Sequence, residues 1–401
     1  MVHFMSKNIL YIHHSPVFGG ASRSLLEMIK AFPSHEVEPY FICTKGSASE
    51  QFITVSNKIC STFGISCFDH TRFGHYTGRR WFILLREILF IFPTLFVFAK
   101  AFFKWRKIKF TAIHVNDLVL LPAVLISKFL FKAPIVLHSR CLFENKKGVF
   151  RLWLIKKIVD KNVDVIVAID SDCHKDIKDF FCSKSIVIHN GLCVYDNKIT
   201  DEKSDDDFIV GFVGNMLPSK GIYELAGAAV KLKELGHDDI VFLIVGPKVN
   251  NNVSLRSKAL DYFGFRELTS EKIDKVITDN NLDNIVFSGF CTDIEEQYKK
   301  MSVLAFPSRL NAVGRPVFEA AYYRVPSIVA VDNPTYDTFI PDVTGLQIKQ
   351  NDINDLVEKI LKLKNDHEFL QELGEGAFSM TEKFYNINNN AKKMLSVYDN
   401  L

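Results

Sequence analysis

The chain contains no C-x-x-C pair, so neither a zinc ribbon nor a thiol redox motif is encoded. Its eight cysteines, at 43, 60, 67, 141, 173, 182, 193 and 291, are scattered through apolar stretches such as YFICT, where cysteine acts as a small hydrophobe. A reducing compartment is the expected setting. No G-x-G-x-x-G is present, which argues against a nicotinamide-dependent oxidoreductase, and no G-x-x-x-x-G-K marks a P-loop. No D-x-D or histidine cluster is placed to hold a metal, so none is expected. Charge of one sign is also missing. The 49 basic and 46 acidic residues leave a net +3, too even a balance to call for nucleic acid. There is no internal repeat. The opening MVHFMSKNILYIHH has neither the charged start nor the apolar run of a secretory signal, and a cytoplasmic location is expected.

What remains is the composition of a folded chain. Hydrophobic residues make up 48% and charged residues 24% of 401, which excludes a disordered chain, a collagen-like fibre and a long coiled coil. The length suits two domains. Phenylalanine is abundant, 35 in all, and clusters in 79–110, RRWFILLREILFIFPTLFVFAKAFFKWRKIKF. That segment holds eight Lys/Arg, one Glu and eight Phe, and its longest uncharged run is the 12 residues from Ile88 to Ala99. A spanning helix needs roughly 20 apolar residues, so a span is not expected. Aromatic bulk with cationic flanks fits either an interfacial helix on anionic headgroups or a buried helix with a solvated basic end.

Short apolar runs alternate with helical patterns. NILYIHH (8–14), AIHVN (112–116), PIVLH (134–138), VDVIVAI (163–169) and SIVIH (185–189) read as strands, with a Gly-rich turn and a helix near 21–32 after the first. The polar, acidic YDNKITDEKSDDD interrupts the pattern and reads as a linker. A second series follows: FIVGFVG (208–214), IVFLIVG (240–246), NIVFSG (284–289), SVLAFPS (302–308) and PSIVAV (326–331). This is the βαβ signature of parallel, doubly wound sheets. The expected division is an N-terminal domain over 1–196, a linker over 197–207, a C-terminal domain over 208–383, and a helix over 384–401 that returns to the N-terminal domain. Ligands of such sheets bind beyond the carboxyl ends of the strands, and each motif below follows a strand.

Gly19 and Gly20 stand between the first strand and its helix, where glycine permits close backbone approach and a helix start offers N–H groups to phosphate. A plain tight turn explains them equally well. Lys220-Gly221 begins a helix after FVG; the lysine can neutralise a diphosphate or simply be a surface residue. In SVLAFPSRLNAVGRPVFEAAYYRVPSIVA, Gly314-Arg315-Pro316 opens a helix carrying Glu319. That carboxylate either supports the helix dipole or holds a ribose diol through two hydrogen bonds.

In their order, the Gly-Gly loop, VG…SKG, FSGF and FPS…GRPVFEA…PSIVA resemble the GT-B glycosyltransferases, specifically glycosyltransferase family 4. The resemblance spans nearly the whole chain and is strongest over 208–348. It implies the GT-B fold, two Rossmann-like domains facing across a cleft that closes to expel water. It implies that Gly19 and Gly20 meet the donor diphosphate, that Lys220 binds phosphate, and that Glu319 is the second Glu of E-x7-E and holds the nucleotide ribose. Gly314 and Arg315 lie inside that motif. His138 is similar to the histidine that faces the donor sugar, and Asn190-Gly191 matches the family's Asn-Gly. Two positions depart from the pattern: Asn311 replaces the first Glu of E-x7-E, and Asn215 aligns with the phosphate-binding arginine. The diphosphate is then left to Lys220, with Arg315 or Arg140 as the remaining cations.

The implied reaction is metal-independent transfer of a hexosyl unit, with retention, from a UDP- or GDP-linked sugar, and no cofactor is needed beyond that donor. The implied acceptor is a saccharide or polyprenyl-linked saccharide of bacterial surface polysaccharide. An anionic membrane surface is the expected further partner, with peripheral attachment to the inner face of the cell membrane. Two other readings stay open: a catalytically silent GT-B protein that binds a nucleotide sugar, and a nucleotide-sugar epimerase.

Overall fold

The structure is a computed structural model and describes residues 6–69, 71, 81–144, 149–181, 184–193, 208–247, 269–289, 291 and 294–401. It divides the chain into one unit of Met1–Tyr195 with Phe384–Leu401, and a second of Asp196–Lys383. The linker read over 197–207, and positions 248–268 of the loop after IVFLIVG, lie outside the described residues.

The first unit is built on seven parallel strands: β1 (Lys7–His13), β2 (Val37–Thr44), β3 (Ile59–Thr62), β4 (Ala112–Val115), β5 (Ile135–Ser139), β6 (Val165–Ala168) and β7 (Ser185–Val187). Their order in the sheet is β3-β2-β1-β4-β5-β6-β7. Ile9, Leu10, Tyr11 and Ile12 are all fully buried, because helices cover both faces, as a parallel sheet requires. These helices include α1 (Gly20–Lys30), α2 (Ser47–Phe52), α3 (Trp81–Leu89), α4 (Ile91–Trp105), α5 (Leu121–Phe131), α6 (Val149–Asn162) and α7 (Ser171–Phe181).

β2 and β3 were not legible as strands, and Pro39 inside β2 explains the first. Proline lacks the N–H that a central strand needs. Here β3 reaches only Phe41–Thr44, and the Pro39 carbonyl turns to the Ser56 hydroxyl at 2.6 Å. Pro39 therefore faces its missing donor toward a side with no strand partner.

The basic, Phe-rich segment becomes two consecutive helices. The uncharged run of 12 residues understates it: Trp81–Trp105 is 25 residues, and among the described residues it alone is long and apolar enough to cross a bilayer. Thr94, Val97, Phe98, Ala101 and Trp105 are nevertheless buried against the rest of the first unit.

The second unit has six parallel strands: β8 (Phe208–Val213), β9 (Ile240–Val245), β10 (Ile285–Gly289), β11 (Val303–Phe306), β12 (Ser327–Ala330) and β13 (Gly345–Ile348). Their order is β10-β9-β8-β11-β12-β13. Around them lie α8 (Ile222–Glu234), α9 (Thr269–Asp279), α10 (Glu295–Lys300), α11 (Arg315–Tyr322), α12 (Ile353–Asn365) and α13 (His367–Tyr385). The core gathers Phe212, Phe242, Ile328 and Leu346 from the sheet with Leu225, Ala229, Leu356 and Ile360 from α8 and α12.

The last helix, α14 (Ile387–Asp399), belongs to the first unit. Ile387, Ala391, Met394, Leu395 and Tyr398 form one apolar stripe and join Leu25, Leu26 and Ile29 of α1 in the core. In each sheet the strand order reverses once, between β1 and β4 and between β8 and β11. Such switch points are where open α/β sheets bind ligands.

Candidate active site

The predicted residues fall into two sets, one per unit. In the second unit, Asn215 and Lys220 follow β8, while Asn311, Gly314, Arg315 and Glu319 follow β11, the neighbouring strand across the switch point. The two loops are fastened together. The Ser308 hydroxyl and the Arg309 N–H both donate to the Ser219 carbonyl, at 3.2 and 3.1 Å. Gly221 caps the turn Pro218–Lys220 at φ +86°, and a Cβ there would lie 2.0 Å from the Pro307 carbonyl oxygen. Only glycine fits both demands, and this fixes Lys220 beside the β11 loop. The Lys220 ammonium lies 5.5 Å from the centre of the Phe306 ring. Arg309 donates from Nε to the buried Glu224 carboxylate at 2.7 Å. Asn215 is exposed at the end of β8.

Glu319 is engaged on both oxygens. Oε1 accepts from Arg315 Nε at 2.7 Å, one helical turn back, and Oε2 accepts from the Tyr298 hydroxyl at 2.8 Å. A carboxylate offers about four lone-pair sites, and these two partners orient it. Tyr298 was not legible as a site residue. It lies in EEQYKK on α10, and only the fold brings it to Glu319. Gly314 is the N-cap of α11, and a Cβ on it would lie 2.5 Å from the Phe306 ring. Arg315 and Pro316 begin the helix, whose first N–H groups have no partners within it.

Asn311 occupies the left-handed region, at φ +46°. Asparagine tolerates that conformation better than most residues. Its side-chain carbonyl accepts from the Asp332 N–H at 2.6 Å, so the Nδ2 amide is the group available to a hydroxyl.

In the first unit, Gly19 is the N-cap of α1, and added Cβ atoms at Gly19 or Gly20 would meet nothing within 4 Å. Packing therefore does not demand glycine here, and the backbone is open to approach. One N–H expected to serve phosphate is already used, since Gly19 donates to Ser22 Oγ at 2.8 Å. The opening there belongs to the first turn of α1, from Gly20 on.

His138 is buried near the end of β5. Its Nδ1 lies 3.1 Å from His114 Nε2, and His114 Nδ1 lies 2.7 Å from the Tyr398 hydroxyl of α14. Burial first, and then Arg140, hold His138 neutral, with its pKa well below the usual range. Its Nε2 has no hydrogen-bond partner among the described residues, and His138 lines a small cavity together with Ser24, Arg140, Asn190 and Asn390.

Beside it runs a polar network that sequence reasoning only partly named. Arg140 donates from Nε and Nη2 to Asn116 Oδ1 at 3.0 and 2.8 Å, and from Nη1 to Asn190 Oδ1. Asn116 Nδ2 lies 3.0 Å from His13 Nδ1. Burial, with smaller contributions from His14 and Arg140, lowers the His13 pKa to about 3. These groups sit at or just past the carboxyl ends of β1, β4, β5 and β7, and that position is the signal by which His13 and Asn116 could have been found. Asp117, next to Asn116, is pushed up to about 7, chiefly by burial. Among the described residues no group of three or more His, Cys, Asp or Glu is clustered as a metal site.

Residues 196–380 match the family model for glycosyl transferases group 1, and residues 18–194 match that for glycosyltransferase family 4. The capsular polysaccharide biosynthesis glycosyltransferase CapM of Staphylococcus aureus is 26% identical over 276 residues, covering 64% of this chain and 68% of CapM. The structure of HepE from Anabaena in complex with UDP-glucose superposes with a TM-score of 0.72 at 15% identity, covering 98% of this chain and 100% of HepE. TarM of S. aureus, in a complex containing UDP, gives a TM-score of 0.68 at 14% identity over 98% of this chain and 99% of TarM.

Proposed function

The chain belongs to the GT-B glycosyltransferases of family 4 type, and we propose that it transfers a hexosyl unit from a UDP- or GDP-linked sugar, with retention and without a metal, in bacterial surface polysaccharide synthesis. The observation that carries this reading is the second-unit set. Lys220, the amide end of α11 and the doubly held Glu319 are tied around one switch point. In the proposed reaction, the bond from the anomeric carbon to the diphosphate oxygen breaks, the acceptor hydroxyl oxygen bonds to the same face of that carbon and passes its proton to the departing diphosphate, and the diphosphate gathers charge as it leaves. Lys220 and the N–H groups at Gly314–Arg315 meet that charge, as preorganised donors that need no rearrangement. Glu319, oriented by Arg315 and Tyr298, accepts from the ribose hydroxyls. Asn311 donates its Nδ2 to a sugar hydroxyl. In the first unit, the start of α1 at Gly20 and the buried Arg140 supply further positive potential. His138 is proposed as a neutral hydrogen-bonding group toward the donor sugar. Retention by front-face attack needs no carboxylate nucleophile, which is compatible with asparagine at 311.

The proposed acceptor is a saccharide or a lipid-linked saccharide, and the latter assigns the enzyme to the inner face of the cell membrane. CapM, by its description, serves capsular polysaccharide, and HepE and TarM bind UDP-sugar or UDP. The test is a product assay with UDP- and GDP-hexoses, with and without lipid-linked saccharide. Acceptor-dependent release of the nucleoside diphosphate, with the anomeric configuration kept in the product by NMR, is the expected result. Release of nucleotide and an altered sugar without acceptor would identify an epimerase. No turnover of any donor would favour a silent binding protein, the reading that Asn215 and the committed Asn311 carbonyl support.

A further inference from the structure

The face of α3 and α4 that turns away from the first unit is as apolar as the face that packs. Phe82, Leu85, Leu89, Phe92, Phe96 and Phe103 recur at three-, four- and seven-residue spacing, and all are exposed, Phe92 by 71% and Phe96 by 72%. Each helical residue turns about 100°, so Phe96 and the buried Phe98 lie on opposite sides. A helix apolar all round belongs either in a core or in lipid, and this one is only half in a core. The neighbouring α5 extends the face with Leu125 and Phe129, the latter 79% exposed. Scattered exposed hydrophobics need no explanation, but a contiguous band marks an interaction surface.

Charge identifies the occupant. Lys100, Lys104, Arg106, Lys107 and Lys109 are all exposed at the end of α4 and just beyond it. The single acid within 81–110, Glu87, is buried and paired with Arg86. Aromatic side chains bordered by lysine and arginine match a bilayer interface bearing anionic headgroups. The helices cannot leave the protein cheaply to cross that bilayer. The Ser66 N–H donates to Thr94 Oγ1 at 2.8 Å, the Ser66 hydroxyl to the Glu87 carbonyl at 2.8 Å, and the Cys67 N–H to the Glu87 carboxylate at 2.9 Å. A crossing would break these anchors and carry Glu87 into hydrocarbon.

We infer that the exposed face of α3, α4 and α5 is a docking surface for an anionic lipid bilayer, on which the first unit rests with its aromatic stripe in the headgroup region. This deepens the lipid-linked-acceptor reading, on which its purpose rests. The experiment is flotation of the full chain with phosphatidylglycerol–phosphatidylcholine vesicles and with pure phosphatidylcholine vesicles. Preferential binding to the anionic vesicles is expected, weakening at about 1 M salt, where the screening length falls to about 3 Å. Phe92→Asp with Phe96→Asp should lower partitioning at least tenfold. Lys104→Glu with Arg106→Glu and Lys107→Glu should remove the preference for anionic lipid. Circular dichroism checks that each variant folds. The unmodified chain supplies a second reading, because Trp81 lies on the exposed face and brominated lipid should quench its fluorescence. Wild type that stays unbound at low salt overturns the inference, and so does equal binding by the aspartate variant. A dimer dissolved by those aspartates, in a protein that ignores vesicles, assigns the face to a second copy and overturns it too. The vesicles hold no acceptor, so binding is read apart from turnover: a protein that binds them but releases no nucleotide when donor and acceptor are both supplied refutes the proposed activity alone, and one that glycosylates a soluble acceptor but ignores vesicles refutes this inference alone.

Discussion

Glu319 and Tyr298 show how a site residue is made by its neighbours. Replacing Tyr298 by phenylalanine removes a buried donor and leaves a carboxylate oxygen underserved, at a cost of about 1–2 kcal/mol. Urea unfolding should register that loss, and nucleotide affinity should fall with it; an unchanged midpoint would refute the role. Two buried groups give opposite pH signatures. The folded-state pKa of His13 is lowered from 6.5 to about 3, so the unfolded chain binds more protons in that window and stability is lost as pH falls through it. The pKa of Asp117 is raised from 3.8 to about 7, so stability is lost as pH rises across that range. Stability curves for His13→Gln and Asp117→Asn should each lose about one proton's worth of slope, with opposite signs. At this scale the residues named from the sequence, such as Lys220 and Glu319, are those that fall inside a recognisable motif. The sequence did not reveal Tyr298 or Asn116, because their significance lies in partners distant in the chain.

Among the elements, the two glycine-bearing turns make a contrast that stability and binding can separate. Gly221→Ala forces a side chain into a positive-φ position and against the Pro307 carbonyl. It should cost about 1–3 kcal/mol and disturb Lys220 as well. Gly20→Ala meets only open space. Its stability should stay within about 0.5 kcal/mol of wild type, while donor affinity drops because the methyl group occupies the approach to the α1 backbone. Equal stability of the two variants would contradict this assignment. The strands that precede these turns were legible as apolar runs. β2 was not, since Pro39 masks a strand whose other side is unpaired at that point. β3 (ICST) and β13 (GLQI) were not either, because each mixes polar and apolar residues instead of forming the apolar run that marks the other strands. The length of the apolar helical segment 81–105 was obscured for a different reason: Arg86, Glu87, Lys100 and Lys104 broke the uncharged run without breaking the helices.

For the whole molecule, the order of switch-point motifs made the architecture legible in outline, while the membership of the last helix rests on tertiary packing. Met394 of α14 is fully buried in the core of the first unit. Met394→Ala should cost about 2–5 kcal/mol, read as a lowered unfolding midpoint, and a chain ending at 383 should expose the α1 face that α14 covers. A midpoint unmoved by Met394→Ala would remove α14 from that core.

The central claim is that the second unit grips a nucleotide diphosphate through Lys220 and Glu319, and calorimetry tests it most directly. UDP, GDP, ADP and CMP are titrated into wild type, Lys220→Ala and Glu319→Ala. One nucleotide should bind the wild type, and each substitution should weaken it tenfold or more, about 1.4 kcal/mol. If no nucleotide binds, or if both substitutions leave the affinity unchanged, the site is not the donor site.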